Sequence, residues 1–425
     1  MRSLMIAILS GAVLLLPCAT ARAAPEEARD PQLQELIAEA VRNNPDLQAA
    51  RSEFEAARSR VSPAGALDDP MLELGVLNVP VQSLSLRRED MTMKMIGLTQ
   101  RLPYPGKRAL RRELAEKEAD ASDSNLREAT NRVMRDVKVG VIDLSRVEES
   151  VRLVEKNRRI LAQFLAIAEA RYAVGQGAQA DVLKAQTQLS KMLDELIKLE
   201  RERPMIEAEL NRALGRMSAP KTFMAPALQV RQVTLRLDDL REMARGNRPQ
   251  LLAQQSLADR NSKALDLARK DYYPDFDVRF SYGQRDNFQD MRREDMISFT
   301  VAINLPVWRA SKRDPRVAEA QSMRDQALRM YDARLNEINA MLRQQAATAE
   351  QSLKSVRLYE SGILPQARLA VEASLAAYKV NRVDVFTLLD NQMTVLNYEI
   401  GHVANLAAHN KALAEIEFLT GKSLF

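Results

Sequence analysis

The chain has 425 residues, enough for two or three ordinary domains, but charged residues make up 28% of it and aromatic residues only 5%. That mixture, with only 14 glycines, is typical of long helices and coiled coils. The net charge of +5 comes from 62 basic and 57 acidic residues scattered along the chain, so no block of like charge offers a footprint for nucleic acid. The composition predicts a mainly helical protein that does not bind nucleic acid.

The N-terminus has the pattern of a secretory signal peptide. Arg2 is followed by an apolar run from Leu4 to Leu16, and Ala21-Arg22-Ala23 matches the small-x-small pattern that a signal peptidase cuts. Residues 1–23 are therefore a predicted signal peptide, and the mature chain is expected outside the cytoplasm.

The only cysteine, Cys18, lies inside this predicted signal, so the mature chain is expected to contain no disulfide. An alternative is lipidation at Cys18, although Pro17 stands where a small residue normally precedes the cut. Beyond the signal there is no run of about 18 apolar residues for a transmembrane helix, so membrane insertion requires β-strands.

The mature chain contains an internal repeat. Matching features recur at offsets of 203 to 206 residues, and four separate pairs indicate a tandem duplication of one unit. The matched pairs are Asn44-Pro45 with Arg248-Pro249, Leu102-Pro103 with Leu305-Pro306, Tyr172–Leu183 with Tyr378–Leu389, and Gly215 with Gly421.

The duplication sets the predicted domain boundaries. The first repeat covers 24–216, a connecting segment covers 217–236, and the second repeat covers 237–425. Each repeat is predicted to contain a helix, two strand-like segments around a polar loop, a very long helix, a turn and a returning helix.

The strand signal is clearest in the second repeat, at about 275–283 and 296–305. Apolar side chains alternate with polar ones there over about ten residues, the length that a tilted strand needs to cross a bilayer. The apolar members are Phe276, Val278, Phe280, Tyr282, Ile297, Phe299, Val301, Ile303 and Leu305. A soluble hairpin with one buried face is the alternative.

The first repeat has its predicted strands at about 71–78 and 91–102. Met91, Met93 and Met95 alternate along the second of them. A methionine row permits a soft-metal site, but methionine at alternate strand positions more often forms adaptable apolar surface. We therefore predict no metal and no cofactor here.

The long helices carry a heptad-like seam. Apolar residues at spacings of four and three predict coiled-coil packing, and a helix from about Lys107 to Tyr172 would be on the order of 100 Å long. The seam residues are Val147, Val151, Val154, Leu161, Leu165, Ala168 and Tyr172, followed by Phe386, Leu389, Met393, Leu396, Ile400, Val403 and Ala407. Such lengths suit a conduit or a spacer.

Four strands per chain cannot close a membrane barrel, because even the smallest need about eight. An open sheet edge in lipid would leave backbone groups unpaired. Several copies of the chain must therefore share one barrel.

Three motifs resemble the TolC-like outer-membrane factors of bacterial tripartite efflux systems, also called outer membrane efflux proteins. They are the two Tyr-containing turns at Tyr172 and Tyr378, the stretch Gln100–Lys107, and the final Leu419-Thr420-Gly421. The resemblance implies a homotrimer with a shared 12-stranded β-barrel in the outer membrane of a Gram-negative bacterium. It also implies a periplasmic α-barrel, a periplasmic adaptor protein and an inner-membrane pump. The Pro-Tyr-Pro-Gly stretch and the methionine-rich hairpin favour the heavy-metal (copper, silver or cobalt–zinc–cadmium) branch.

The resemblance places the periplasmic tips and the gate at the two helical turns. The expected adaptor contacts are Gly175, Gly177, Asn381 and Val383, and the gate candidates are Asp181, Arg382, Asp384, Thr387 and Asp390. The family often has acidic residues at the positions of Thr387 and Asp390, and only Asp390 keeps the acid here.

The sequence offers no enzymatic site, because it has neither a phosphate-binding loop nor a nucleophile with a recognisable base. A passive channel driven by a partner is the predicted function. The alternatives are a periplasmic coiled-coil adaptor or scaffold, which partition into the soluble fraction would favour, and a cell-envelope hydrolase.

Overall fold

The computed structural model describes residues 31–216, 222–231, 233, 236–287, 292–380 and 382–424. The predicted signal peptide and part of the connecting segment lie outside the described residues. The elements of the first half are α1 (Pro31–Asn43), α2 (Pro45–Gly65), β1 (Met71–Leu77), β2 (Met93–Leu102), α3 (Lys107–Ala173) and α4 (Gln179–Ala213). Those of the second half are α5 (Leu237–Asn247), α6 (Pro249–Lys270), β3 (Phe276–Gln284), β4 (Met296–Ile303), α7 (Asp314–Leu358), α8 (Leu364–Lys379) and α9 (Val385–Thr420).

Proline fixes the start of α2 and of α6. Pro45 needs no hydrogen-bond acceptor at the first helical position, and the Asn44 side chain caps α2 by accepting from the N–H groups of Asp46 (2.9 Å) and Leu47 (3.2 Å). Pro249 begins α6 in the same way, but Arg248 occupies its cap position and makes no side-chain cap bond. The Arg248 side chain is therefore available for another partner.

The helix α3 is the longest helix in the described residues. It has 67 residues, which at 1.5 Å per residue is on the order of 100 Å, and it packs along α2, α4, α6 and α9. Its seam is buried, with Val147, Val154 and Leu161 fully enclosed. The two seam positions nearest the turns, Tyr172 and Phe386, are instead half exposed.

The strands form one antiparallel sheet in the order β1-β2-β3-β4. One face carries apolar side chains that pair across the strands, such as Leu98 with Phe280 and Phe280 with Phe299. The other face carries ion pairs, among them Glu73 with Arg279. The strand β2 begins at Met93, so Met91 lies in the preceding turn and not on the strand.

The outer strands of this sheet each have one neighbour within the described chain. In β4 all eight residues are exposed, and Ile297 and Phe299 keep about 70% of their side-chain surface (70% and 69%). An apolar strand with an open edge is a surface that another chain can extend.

Two wider helical turns interrupt the second half. Arg309–Arg313 precedes α7 and Tyr359–Ile363 separates α7 from α8, where the sequence predicted one uninterrupted helix. Pro365 has no N–H to donate to the carbonyl of Ser361, which accounts for the wider turn before α8. At this point the Glu360 carboxylate lies 3.1 Å from Nε2 of His402.

The last helix of each half ends in the same close contact. Gly215 and Gly421 have φ angles of +70° and +68°. A Cβ atom at Gly215 would lie 2.5 Å from the carbonyl oxygen of Asn43, and one at Gly421 would lie 2.4 Å from that of Asn247. Each glycine is therefore required both by its left-handed backbone and by the neighbouring carbonyl.

Gly215→Ala and Gly421→Ala are each expected to lower the free energy of unfolding by at least about 2 kcal/mol, because alanine meets both the strained φ and the carbonyl. Guanidinium unfolding followed by circular dichroism measures the loss. Gly246→Ala is the control, since its Cβ meets nothing within 4 Å and its φ is not positive. Equal stability of all three variants would contradict the steric account.

In the described residues, no helix has the combination of length and apolarity that a membrane span needs.

Candidate gate at the two helical turns

The turn between α3 and α4 is closed by a left-handed glycine. Gly175 has a φ of +71°, its N–H donates to the Tyr172 carbonyl (3.0 Å), and the Gln176 N–H donates back to Arg171 (2.8 Å). Gly177 packs closely against the end of α3, since a Cβ there would lie 3.1 Å from the Tyr172 nitrogen. Both glycines predicted at this tip are thus needed for the sharp reversal.

The turn between α8 and α9 uses the same closing bond without glycine. The Arg382 N–H donates to the Ala377 carbonyl at 2.9 Å, five residues back, as Gln176 does to Arg171 in the other turn. Val383 is half buried, and Asn381 lies outside the described residues.

Asp384 is the N-cap of α9. Its carboxylate accepts hydrogen bonds from the Thr387 N–H (2.9 Å) and the Thr387 hydroxyl (2.6 Å). These two donors from Thr387, the hydroxyl and the backbone N–H, lower the pKa of Asp384 below its usual range. Two of the predicted gate residues are therefore joined by hydrogen bonds, and Thr387 favours the ionised form of the Asp384 carboxylate at the start of the helix.

The other gate candidates are free of such local bonds. Asp390 and Arg382 are exposed and Asp181 is half buried in the first turn of α4. Within the described part of the chain no ion pair joins any of these three to another residue. Any ion pair that these candidates form would therefore join them to a residue outside the described part of this chain or to another copy.

Two cation–π contacts join the hairpins near their tips. The Arg171 guanidinium carbon lies 4.6 Å from the centre of the Tyr378 ring, and Arg171 Nη1 donates to the Tyr378 carbonyl at 2.6 Å. The Lys184 ammonium lies 4.5 Å from the centre of the Phe386 ring. Burial raises the pKa of the Tyr378 hydroxyl, and the Arg171 guanidinium opposes that shift.

These contacts were not predicted from the sequence. Tyr378 and Phe386 were placed in the turn motif and the seam, but their cationic partners are 207 and 202 residues away in the chain. The spacing of neighbouring residues carries no signal for such a pairing.

A buried apolar cluster lies behind the tips. It joins α3, α4, α8 and α9, with Phe164, Tyr378 and Leu389 among its members. The tips are therefore extensions of a packed coiled coil whose hairpins contact each other within one chain.

Among the described residues, no group of three or more His, Cys, Asp or Glu side chains is placed to hold a metal ion. The two histidines are engaged separately. His402 faces Glu360, and both ring nitrogens of the buried His409 face backbone carbonyls, those of Ala349 (2.9 Å) and Arg231 (2.8 Å). His409 thereby attaches the connecting segment to α7 and α9.

Comparison with known proteins finds outer-membrane relatives. Residues 36–216 match the family model described as "Outer membrane efflux protein". The outer membrane protein TolC of Vibrio cholerae serotype O1 is 21% identical over 366 residues, which cover 84% of this chain and 83% of TolC.

Solved structures share the fold over nearly the whole chain. CusC superposes with a TM-score of 0.79 at 15% identity, covering 92% of each chain. The outer membrane protein VceC from Vibrio cholerae superposes with a TM-score of 0.78 at 17% identity, covering 93% of this chain and 97% of VceC. The mainly helical chain with its four strands thus has the fold of these outer-membrane proteins.

Proposed function

We propose that this chain, as a TolC-like member of the outer membrane efflux protein family, is the outer-membrane channel of a tripartite efflux system. The family consists of transport channels and not of enzymes. Its members are located in the outer membrane of Gram-negative bacteria and extend into the periplasm, and this protein has the same location. The channel is a passive conduit, because the energy comes from an inner-membrane pump that works through a periplasmic adaptor.

The two-faced sheet is the observation that carries this proposal. One face carries exposed apolar side chains, which suit contact with lipid. The opposite face carries the Glu73–Arg279 and Arg101–Asp277 ion pairs, which suit contact with water. A soluble protein would bury the first face, whereas Leu74 remains 73% exposed. A barrel wall with lipid on its outer side and water on its inner side provides a suitable environment for both faces of the sheet.

The open edges of β1 and β4 support a homotrimer. Pairing β4 of one copy with β1 of the next satisfies both edges, and three copies give a closed barrel of twelve strands. The long helices of the three copies would then continue the wall as a periplasmic α-barrel.

The packing of the two halves supports their origin by duplication. Core positions recur at offsets of 204 to 206 residues, with a small or an apolar residue at both members of each pair. The pairs are Ala40 with Ala244, Leu47 with Leu251, Val133 with Ile338, Val137 with Leu342, and Leu210 with Ile416. The shared glycine closures at Gly215 and Gly421 follow the same offset.

The helical turns are the proposed gate and the adaptor contact. Four of the gate candidates are charged and form no ion pair within the described residues: Asp181, Arg382, Asp384 and Asp390. They are therefore available for ion pairs with adjacent copies. Gly175, Gly177, Asn381 and Val383 would present the tips to the adaptor. Adaptor binding would favour the state in which the tips separate.

Charge removal at the tip tests the gate. Asp384→Asn with Asp390→Asn removes two carboxylates while the asparagine amide oxygen can still cap α9. We expect single-channel conductance in planar bilayers to rise by on the order of twofold and cation preference to fall, because charge pairs and an acidic ring are lost together.

Two comparisons make this result specific. Asp384→Ala also removes the N-cap of α9. A larger rise in conductance with alanine than with asparagine would therefore be due to fraying of α9 and not to the lost charge. Asp332→Asn, an exposed acid far along α7, is the control and should conduct as the wild type does. Unchanged conductance in the asparagine pair would reject the gating role, and a soluble, non-conducting monomer would reject the channel in favour of a periplasmic scaffold.

Heavy-metal cations are the proposed substrate class. The support is the Pro103-Tyr104-Pro105-Gly106 stretch at the base of the sheet and the methionine-rich first hairpin. We expect the complete three-component system to confer tolerance to silver or copper, and we expect a system without this chain to confer none.

A further inference from the structure

Three methionines lie beside one glycine, Gly283, on the polar face of the sheet. Met93 and Met95 are two residues apart in β2 and therefore lie on the same face. Gly283 of β3 pairs with Met95 on one side and with Met296 of β4 on the other. Directly paired residues of antiparallel strands share a face, so all three thioethers lie on the Gly283 side of the sheet.

Met93 reaches across to Gly283. A Cβ atom at that glycine would lie 2.5 Å from the Met93 sulfur and 3.3 Å from its Cγ. The Met93 thioether thus fills the space that any other residue at 283 would need. It lies between the strand positions of Met95 and Met296.

A second glycine opens the other side of Met95. Gly75 of β1 pairs with Met95, and a Cβ there would meet nothing within 4 Å. The row across the sheet is therefore Gly75, Met95, Gly283, Met296. Methionines alternate with glycines, which leaves room for their flexible side chains to move toward a common point.

Contact with lipid does not explain these methionines, because they share the face of the Glu73–Arg279 ion pair. Thr99 donates to Glu73 at 3.0 Å, and Arg279 Nη2 donates to the Met95 sulfur at 3.8 Å. The Glu73 carboxylate balances the charge of Arg279 next to the thioethers. On a water-facing surface, thioethers in place of hydroxyl or charged groups point to a ligand that prefers sulfur.

We propose that Met93, Met95 and Met296 form a thioether site for a soft monovalent cation, Cu(I) or Ag(I), on its way through the pore. This proposal rests on the proposed channel function. Neutral thioethers select soft cations over Zn(II) or Co(II), which prefer imidazole and carboxylate ligands. They also need no deprotonation, so binding is independent of pH near neutrality. The sequence alone favoured adaptable apolar surface for Met93 and Met95, because methionine at alternate strand positions more often has that role. It gave no indication that Met296 shares their face.

Silver binding by the full-length protein in detergent tests the site. Silver nitrate is the probe, in chloride-free buffer, and bound silver is counted by equilibrium dialysis with elemental analysis. We expect Met93→Leu/Met95→Leu/Met296→Leu to weaken binding by at least about tenfold, since leucine keeps the volume but removes the sulfur. The control is Met71→Leu/Met91→Leu, which should bind as the wild type does. Zn(II) should bind wild type and triple variant equally.

Conductance measured on the same samples separates this site from the channel function. We expect micromolar silver nitrate to reduce the potassium nitrate current of the wild type and not that of the triple variant. Equal silver binding by the wild type and the triple variant would overturn the site, whether or not the protein conducts. A protein that does not conduct potassium, but loses silver in the triple variant only, would overturn the channel and support the site.

Discussion

Replacing Arg248 with methionine is expected to destabilise the junction of α3, α6 and α9 by roughly 3–5 kcal/mol, the range for removing one partner of a buried ion pair. The Arg248 and Glu128 side chains are 3% and 10% exposed, and Arg248 Nη2 donates to Glu128 Oε1 at 2.7 Å. The guanidinium carbon lies 3.9 Å from the centre of the Phe418 ring, and Nη1 donates to the Phe418 carbonyl. Without the arginine, the buried Glu128 carboxylate loses the one cation that donates a hydrogen bond to it among the described residues.

The pKa shifts of the pair support this expectation. Burial raises the pKa of Glu128 and lowers the pKa of Arg248, and each partner opposes the shift of the other. Each group therefore offsets part of the cost of burying the charge of the other. Guanidinium unfolding followed by circular dichroism at pH 7 measures the loss.

A double variant distinguishes an unpaired charge from lost packing. Arg248→Met with Glu128→Leu is expected to recover most of the stability, because two apolar groups of similar volume leave no buried charge. The exposed pair Arg112–Glu116 provides the control, and Arg112→Met should leave the unfolding midpoint nearly unchanged. A double variant as unstable as Arg248→Met would assign the effect to packing around Phe418.

This pair also shows which part of the fold the sequence could not predict. Arg248 occupies the position that matches Asn44, so the repeat predicted a helix start there, but its partner Glu128 is 120 residues away. Helix starts depend on local chemistry, which Pro45 and Pro249 provide. Partners across α3 depend on which residues the complete packing brings together, and no spacing along the chain contains that information.

Regular periodicity explains what could be predicted. Period-two alternation predicted the strands β3 and β4, and the helix predicted from about Lys107 to Tyr172 matches α3 (Lys107–Ala173). The wider turn at Tyr359–Ile363 was missed because its cause, the missing N–H of Pro365, is a property of a single residue. Periodicity reports which side of an element is buried, and the predicted seam of the second half begins only at Phe386, beyond this turn.

At the candidate gate, too, the sequence predicted local elements but not the contacts between side chains. The turn motif predicted both helical turns, and the family resemblance made Asp384 and Thr387 gate candidates, a role that stays a prediction. Neither showed that the Asp384 carboxylate is already bonded to Thr387. A charge at the first turn of a helix has two uses, capping the helix and binding a neighbour, and only the geometry distinguishes them.

Lys107→Met is expected to destabilise the junction between sheet and helices by roughly 3 kcal/mol, because Lys107 is the buried cation of this junction. Its side chain is 3% exposed, and its ammonium lies 2.9 Å from Asp275 and 3.3 Å from Asp271. It also donates to the Tyr273 carbonyl at 3.3 Å. The start of α3 is thereby fixed to the segment between α6 and β3.

The pH dependence of this loss tests the mechanism. Burial alone would raise the pKa of Asp275, but the hydrogen bonds from the Tyr104 N–H and the Lys107 ammonium outweigh it and lower that pKa. A carboxyl whose pKa is lowered by folding adds stability above its unfolded pKa, and this stability is lost as the pH falls through the folded pKa. The difference between wild type and Lys107→Met should therefore be full at pH 7 and should shrink below about pH 4.

Unfolding midpoints in guanidinium at neutral and acidic pH measure this difference. Arg60→Met removes the cation of an exposed pair with Glu118 and is the matched control, for which little change is expected at any pH. A loss in Lys107→Met that stays constant into acid would show that the packing of the buried lysine stem matters more than its charge. A loss that disappears with protonation of Asp275 would show that an ion pair couples the four-stranded sheet to the long helices.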